Sequence, residues 1–138
     1  MIQNTVNALV LGFAAHMIGD YVLQSDWMAQ EKTKRSEVAL LHALTYSWPF
    51  IPLLFLLDVQ HPLIAILVIW LTHAVIDHYR LARHVVWFKN QFAPREFRPG
   101  HTTTGHAEDR PAFLTIWLVI YVDNIIHVAI NTAALVWL

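Results

Sequence analysis

The sequence contains no cysteine, which excludes disulfide bridges, thiolate zinc sites and a thiol nucleophile. It is also short of charge, because 14% of its 138 residues are Asp, Glu, Lys or Arg, whereas soluble domains carry about 25%. Nine Lys and Arg against ten Asp and Glu give a net charge of −1. No broad positive field results, so we expect no nucleic-acid partner. A chain of this length is expected to form a single domain, residues 1–138.

Hydrophobic residues are abundant instead, at 57% of the chain, and they are concentrated in four segments. We predict helices at about 5–24, 37–57, 60–80 and 112–138, each close to the roughly 20 residues that cross a bilayer core. Apolar residues surround each segment rather than following one stripe, which favours lipid surroundings over a soluble helical bundle. The predicted fold class is therefore all-α, an integral membrane bundle of four transmembrane helices.

The basic residues indicate how this bundle is oriented. All nine lie in two loops: Lys32, Lys34 and Arg35 in one, and Arg80, Arg83, Lys89, Arg95, Arg98 and Arg110 in the other. The positive-inside rule predicts that both loops are cytoplasmic and that both termini are outside. The second loop, 81–111, is expected to begin with an amphipathic stretch at the membrane interface, residues 81–92. After the first helix, Asp26 is expected to cap a short interfacial helix.

Three of the predicted helices carry a His and an Asp four residues apart, a spacing that places both side chains on one face. His42 lies on the remaining helix. The positions of these residues along their helices predict that all of them lie at one depth, in the cytoplasmic leaflet. Such groups are candidates for interhelical hydrogen bonds or, jointly, for metal binding. We predict a site for one or two divalent ions, with Zn²⁺, Mn²⁺ and Fe²⁺ all acceptable to these ligand types. The predicted ligands are His16, Asp20, His42, His73, Asp77, Asp123 and His127.

Further residues near this predicted site suit catalysis and substrate binding. Asp20, Asp77 or His78 is expected to act as general base. An anionic substrate group is expected to contact Gln24, Lys32 and Arg80. The other histidines are expected to be solvated in turns or loops, unless one of the last two closes over the site: His61, His84, His101 and His106.

Three motifs carry a resemblance to a known family: HisMetIleGlyAspTyrValLeuGlnSerAspTrpMetAla at 16–29, HisAlaValIleAspHis at 73–78 and AspAsnIleIleHis at 123–127. Over nearly its whole length the chain resembles the small multi-pass membrane proteins of bacteria and bacteriophages filed as domain of unknown function 3307. The resemblance implies a location in the bacterial inner (cytoplasmic) membrane, in a host or phage protein. It implies no particular reaction.

Three functions fit these observations. The leading hypothesis is a membrane-embedded metal-dependent hydrolase that acts on a lipid or other anionic substrate at the cytoplasmic leaflet. The second is a transporter of divalent cations or protons, in which the same polar residues form a relay. The third is a non-enzymatic membrane protein that acts through a partner. The ionisable residues stop in the cytoplasmic half, which favours a one-sided enzyme pocket. Four helices surround such a site thinly, so we also consider a homo-oligomer.

Overall fold

A computed structural model describes residues 2–138, and every regular element in that range is helical. This confirms the all-α class. The helices are α1 (Ile2–Tyr21), α2 (Asp26–Glu31), α3 (Ser36–Ser47), α4 (Ile51–Leu56), α5 (Pro62–Tyr79), α6 (Leu81–Asn90) and α7 (Ala112–Trp137). Short 3₁₀ turns occur at Trp48–Phe50 and Arg95–Phe97.

Within residues 2–138, three stretches, not the predicted four, are long and apolar enough to cross a membrane: Ser36–Leu56, Pro62–Tyr79 and Ala112–Trp137. The helix that differs from the prediction is α1. It is long enough, at 20 residues, but its polar residues lower its mean hydropathy. These polar residues are Gln3, Asn4, Thr5, Asn7, His16 and Asp20.

The second predicted helix, 37–57, is interrupted in the structure. A 3₁₀ turn, Trp48–Phe50, separates α3 from α4. Pro49 and Pro52 explain the interruption, because proline has no N–H to continue the hydrogen bonds of a helix. Each proline stands at the start of the segment that follows, where a missing N–H is tolerated.

The connections at the ends of α1 and α5 also differ in detail from the prediction. The N-cap of α2 is Ser25, not Asp26, because the Ser25 Oγ accepts a hydrogen bond from the backbone N–H of Met28 at 3.3 Å. The short helix itself is present as expected. Helix α5 ends at Tyr79 because Arg80 adopts the left-handed conformation, with φ 52°.

The chain forms two compact units. The first contains residues up to Tyr79 together with His127–Leu138, and the second is Arg80–Ile126. In the first unit α3 packs along α5, and α1 packs on α3. Small residues recur on the buried face of α1, which lets neighbouring helices approach closely. They are Ala8, Gly12, Ala15 and Gly19.

The outer surfaces of the helices are apolar. On α1, Val10 is 60% exposed and Phe13 49%, and on α7, Phe113 is 69% exposed and Ile125 66%. A soluble protein rarely exposes so much apolar surface. Buried polar side chains with outward apolar ones are the arrangement expected of a protein in lipid.

In the second unit, α6 buries Ala82 and Val86 and exposes apolar Val85 and Phe88 beside polar His84 and Lys89. The following chain packs on α6 through Gly105, which has φ 77°. A Cβ there would clash with the backbone of Arg83 and Trp87, so glycine alone allows this close approach.

Candidate metal centre

Four buried side chains from three helices converge in the first unit: Asp20 from α1, His42 from α3, and His73 and Asp77 from α5. We call these four residues the quartet. The His42 Nε2 lies 3.0 Å from the His73 Nε2, 3.2 Å from the Asp20 Oδ1 and 3.3 Å from the Asp77 Oδ2. The His73 Nε2 lies 3.3 Å from the same Asp20 oxygen and 3.1 Å from the same Asp77 oxygen.

These spacings match the requirements of a divalent ion. Imidazole nitrogens and carboxylate oxygens bind such an ion at about 2.0–2.2 Å. Two ligand atoms on one ion are then roughly 3.0 Å apart at a right angle and roughly 3.4 Å apart at a tetrahedral angle. The five separations run from 3.0 to 3.3 Å. They are compatible with a divalent ion held by the quartet.

The charges of the cluster also favour a cation. Asp20 and Asp77 place two carboxylates in a buried position, which is costly unless the charges are compensated. The Lys32 Nζ lies 2.6 Å from the Asp77 Oδ2 and 3.3 Å from the His42 Nε2. One ammonium balances one carboxylate, so the remaining negative charge requires a protonated imidazole or a bound cation. A cation would use all four converging atoms at once.

Each carboxylate turns its second oxygen towards an outer histidine. The Asp20 Oδ2 lies 3.4 Å from the His16 Nδ1, and the Asp77 Oδ1 lies 3.8 Å from the His127 Nε2. The rings of His16 and His127 stack, with centroids 5.6 Å apart and planes at 20°. Six of the seven predicted ligands thus gather in the first unit, four in the quartet and two beside it. The seventh, Asp123, is half-buried and belongs to the second unit.

Tyr46 is a central residue to which the sequence reasoning gave no role. It is fully buried, and its ring stacks on His73 with centroids 3.6 Å apart and planes at 15°. Its hydroxyl lies 2.9 Å from the His16 Nδ1 and accepts a hydrogen bond from Asn131 at 2.6 Å. Tyr46 follows His42 by four residues, and Asn131 follows His127 by four. The same helical spacing that indicated the ligands places Asn131 on the polar face of the last helix and could have identified Tyr46.

The predicted base and substrate-binding residues lie in different places. The His78 Nδ1 donates to the backbone carbonyl of Lys32 at 2.8 Å and so fastens the segment that carries this lysine. Gln24 is half-buried between α1 and α2, and its Oε1 has no hydrogen-bond partner among residues 2–138. Arg80 is exposed in the second unit. A catalytic role for His78 and substrate contacts for Gln24 and Arg80 stay predictions.

One expectation about the loop histidines is wrong. His106 is only 8% exposed within the second unit, whereas we expected it to be solvated. The alternative expectation, that it closes over the metal site, stays a prediction. His106 is buried because Gly105 brings the chain against α6 and Asn90 hydrogen-bonds to it. His61, His84 and His101 are exposed, as expected.

The chain matches the model of a family described as protein of unknown function (DUF3307), over residues 8–137. Because this match covers nearly the whole chain, the protein belongs to that family. No curated protein and no solved structure matches it. Function must therefore be argued from the site itself.

Proposed function

We propose that this DUF3307 protein is a membrane-embedded metal-dependent hydrolase whose divalent ion is held by the quartet. The observation that carries the proposal is the set of five ligand-atom separations between 3.0 and 3.3 Å. Nitrogen and oxygen ligands without thiolates suit Zn²⁺, Mn²⁺ or Fe²⁺. His16 and His127 orient the two carboxylates through their second oxygens.

A divalent ion held by the quartet would supply Lewis acidity for hydrolysis by water at neutral pH. The protein's own groups supply the rest of the chemistry. The side chain of Asp20 is 10% exposed and that of Asp77 4%, so Asp20 is the better placed of the two to accept a proton from water. The side chain of Lys32 is 16% exposed, and its ammonium can pair with an anionic substrate group.

The surroundings of Asp20 and Lys32 favour an amphiphilic substrate. The residues that follow Asp20 along the chain expose apolar side chains, with Tyr21 at 53%, Val22 at 72% and Trp27 at 49% exposure. An anionic group bound by Lys32 beside such a surface is the chemistry of a lipid or lipid-linked molecule. The predicted contacts of Gln24 and Arg80 would add to recognition of its polar part.

We further propose that α1 lies in the bilayer beside the three apolar stretches, as a fourth crossing. Its modest mean hydropathy comes from exposed polar residues in its first turns, such as Gln3 and Asn7, together with two buried polar residues near its end. His16 and Asp20 are buried, whereas Leu9, Val10 and Phe13 face outward. Four crossings with cytoplasmic basic loops would place both termini outside the bacterial inner membrane.

The transport alternative is less well supported by the packing of the first unit. Beyond the quartet and its neighbours His16 and His127, the buried polar contacts of the first unit extend to Tyr46 and Asn131. The adjoining core is apolar and closed, and Phe50 and Ile69 are fully buried in it. A relay for ions or protons would need ionisable groups further along the helices. A polar pocket that ends in an apolar core favours an enzyme.

The test is hydrolysis by the purified full-length protein in detergent, loaded with Zn²⁺, Mn²⁺ or Fe²⁺ and offered phospholipids, lipid phosphates and simple esters. We expect turnover of an anionic lipid that a chelator abolishes and that H73A lacks. H61A replaces an exposed histidine and should retain full activity. A metal-loaded protein that turns over none of these substrates, or an H73A variant as active as the wild type, would contradict the proposal.

A further inference from the structure

The second unit contains a cavity that is separate from the quartet. Its volume is about 420 Å³, within the range of small-ligand sites. Its lining combines the polar side chains of Asn90, His106 and Arg110 with the apolar surfaces of Pro94, Phe97 and two alanines.

The hydrogen bonds of Asn90 determine which nitrogen of His106 carries the proton. The Asn90 Nδ2 donates to the carbonyl oxygen of Gly105 at 2.7 Å, and the same nitrogen lies 3.3 Å from the His106 Nδ1. A carbonyl oxygen can only accept a hydrogen bond, so the group of Asn90 that faces Gly105 and His106 is its amide nitrogen. This nitrogen donates to His106 as well. The His106 Nδ1 is therefore the acceptor, and the proton of the neutral ring resides on Nε2.

Two N–H donors of this cavity have no acceptor in the described part of the chain. They are the His106 Nε2 and the Arg110 Nε, and both atoms are buried. Burial and the positive charge of Lys89 lower the pKa of His106, which keeps its ring neutral with one N–H. Buried donors normally have a hydrogen-bond acceptor. The two N–H groups without one therefore indicate a ligand with acceptor oxygens.

The charges around the cavity indicate the sign of that ligand. The Arg110 guanidinium lies over the Phe97 ring at 4.3 Å, and its Nη2 pairs with the Asp109 Oδ2 at 3.1 Å. Asp109 thus contacts the Nη2 of the guanidinium, and the Arg110 Nε has no hydrogen-bond acceptor among the described residues. Glu108 pairs with His101 at 3.2 Å. Among the residues that line the cavity, Arg110 supplies a positive charge and no side chain is acidic.

We propose that this cavity binds a phosphate group, either free or part of a phospholipid headgroup. The Arg110 Nε–H and the His106 Nε2–H donate to its oxygens, and in a phospholipid Phe97 and Pro94 pack against the apolar part. This inference does not depend on the proposed hydrolase activity. Two sources share the chemistry, namely a phospholipid headgroup and a free phosphate.

Isothermal titration calorimetry on the full-length protein in a neutral detergent tests the proposal. The probes are inorganic phosphate and dihexanoyl phosphatidic acid. We expect at least one to bind, and R110Q and H106F each to weaken it at least tenfold. The control variants R95Q and H101F replace exposed residues of the same segment and should bind as the wild type does. Tighter binding of phosphatidic acid identifies a lipid headgroup, and equal binding identifies free phosphate.

Nitrogen NMR of the histidine rings gives a readout that does not depend on how the variants fold. In the wild type we expect His106 to be protonated at Nε2 alone, with a shift of that nitrogen when the probe is added. The proposal is overturned if neither probe produces heat or moves this resonance at millimolar concentration. It is also overturned if R110Q and H106F bind as tightly as the wild type.

Discussion

The quartet of the first unit and the cavity of the second both contain buried histidines, yet they suit ligands of opposite charge. In the quartet, the imidazoles of His42 and His73 face two buried carboxylates, whose negative charges favour a cation. In the cavity, His106 lies beside Asn90 and near Lys89, and its unpaired atom is a donor that favours an anion. The groups around a histidine, rather than the histidine itself, determine whether the site favours a cation or an anion.

The largest effect expected is loss of the metal when a quartet residue is removed. H73A takes away the nitrogen that lies within 3.3 Å of three other ligand atoms. Metal content, measured by elemental analysis of the purified protein, should fall to background. R110Q should retain the metal of the wild type, because Arg110 belongs to the anion-binding cavity. Equal loss in both variants would remove the contrast between the two regions.

A smaller effect is expected from the outer histidines. His16→Ala and His127→Ala each remove a partner of one carboxylate, and such changes weaken metal binding by about 10–100-fold. The number of ions per chain should stay the same when metal is in excess, as competition with a chromophoric chelator can measure. A fall from two ions to one would instead identify the outer histidines as ligands of a second ion, as the sequence analysis allowed.

Removing the ammonium of Lys32 should strengthen metal binding, whereas the preceding substitutions should weaken it. In the wild type, the Asp77 Oδ2 accepts a hydrogen bond from the Lys32 ammonium at 2.6 Å. K32M removes this hydrogen bond, so the oxygen is free to bind a metal. We expect metal affinity to rise about tenfold, which corresponds to roughly 1.4 kcal/mol. Lys34 pairs with exposed Glu31 at 2.8 Å, so K34M should leave the affinity unchanged. Weaker metal binding by K32M would mean that Lys32 supports the site rather than competing within it.

The smallest effect on the metal site is expected from a change that touches no polar atom. A Cβ at Gly19 would clash with the ring and the carbonyl oxygen of Tyr46, whereas a Cβ at Gly100 would meet nothing within 4 Å. Gly19→Ala should therefore lower the free energy of unfolding by about 1–3 kcal/mol and weaken metal binding only through the displaced Tyr46. Gly100→Ala is the matched control. Equal thermal stability of the two variants in detergent would show that the helices adjust to the extra methyl.

Helical spacing predicted a substantial part of the site. His16 with Asp20 and His73 with Asp77 lie four residues apart, and each pair is in contact, at 3.4 and 3.1 Å. The sequence could not show which oxygen of each carboxylate meets which histidine, because this depends on how three helices pack. It also could not show that Lys32 turns to Asp77, since a hydrogen bond from His78 holds its backbone.

The errors have similarly local causes. Mean hydropathy averages α1 over its whole length, although its exposed polar residues are confined to its first turns and exposed apolar residues follow them. His106 lies in a hydrophilic segment, and such a composition predicts a solvated loop. The positive φ of Gly105 lets that segment pack closely against α6, a constraint that a single sequence does not reveal.

The most direct test of the metal centre is the metal content of the wild-type protein, purified in detergent without a chelator and then incubated with Zn²⁺, Mn²⁺ or Fe²⁺. We predict at least one tightly held ion per chain, removable by a strong chelator and missing from D77N, with D26N as the matched control that retains it. A wild-type protein that holds none of the three ions after incubation would contradict the metal centre.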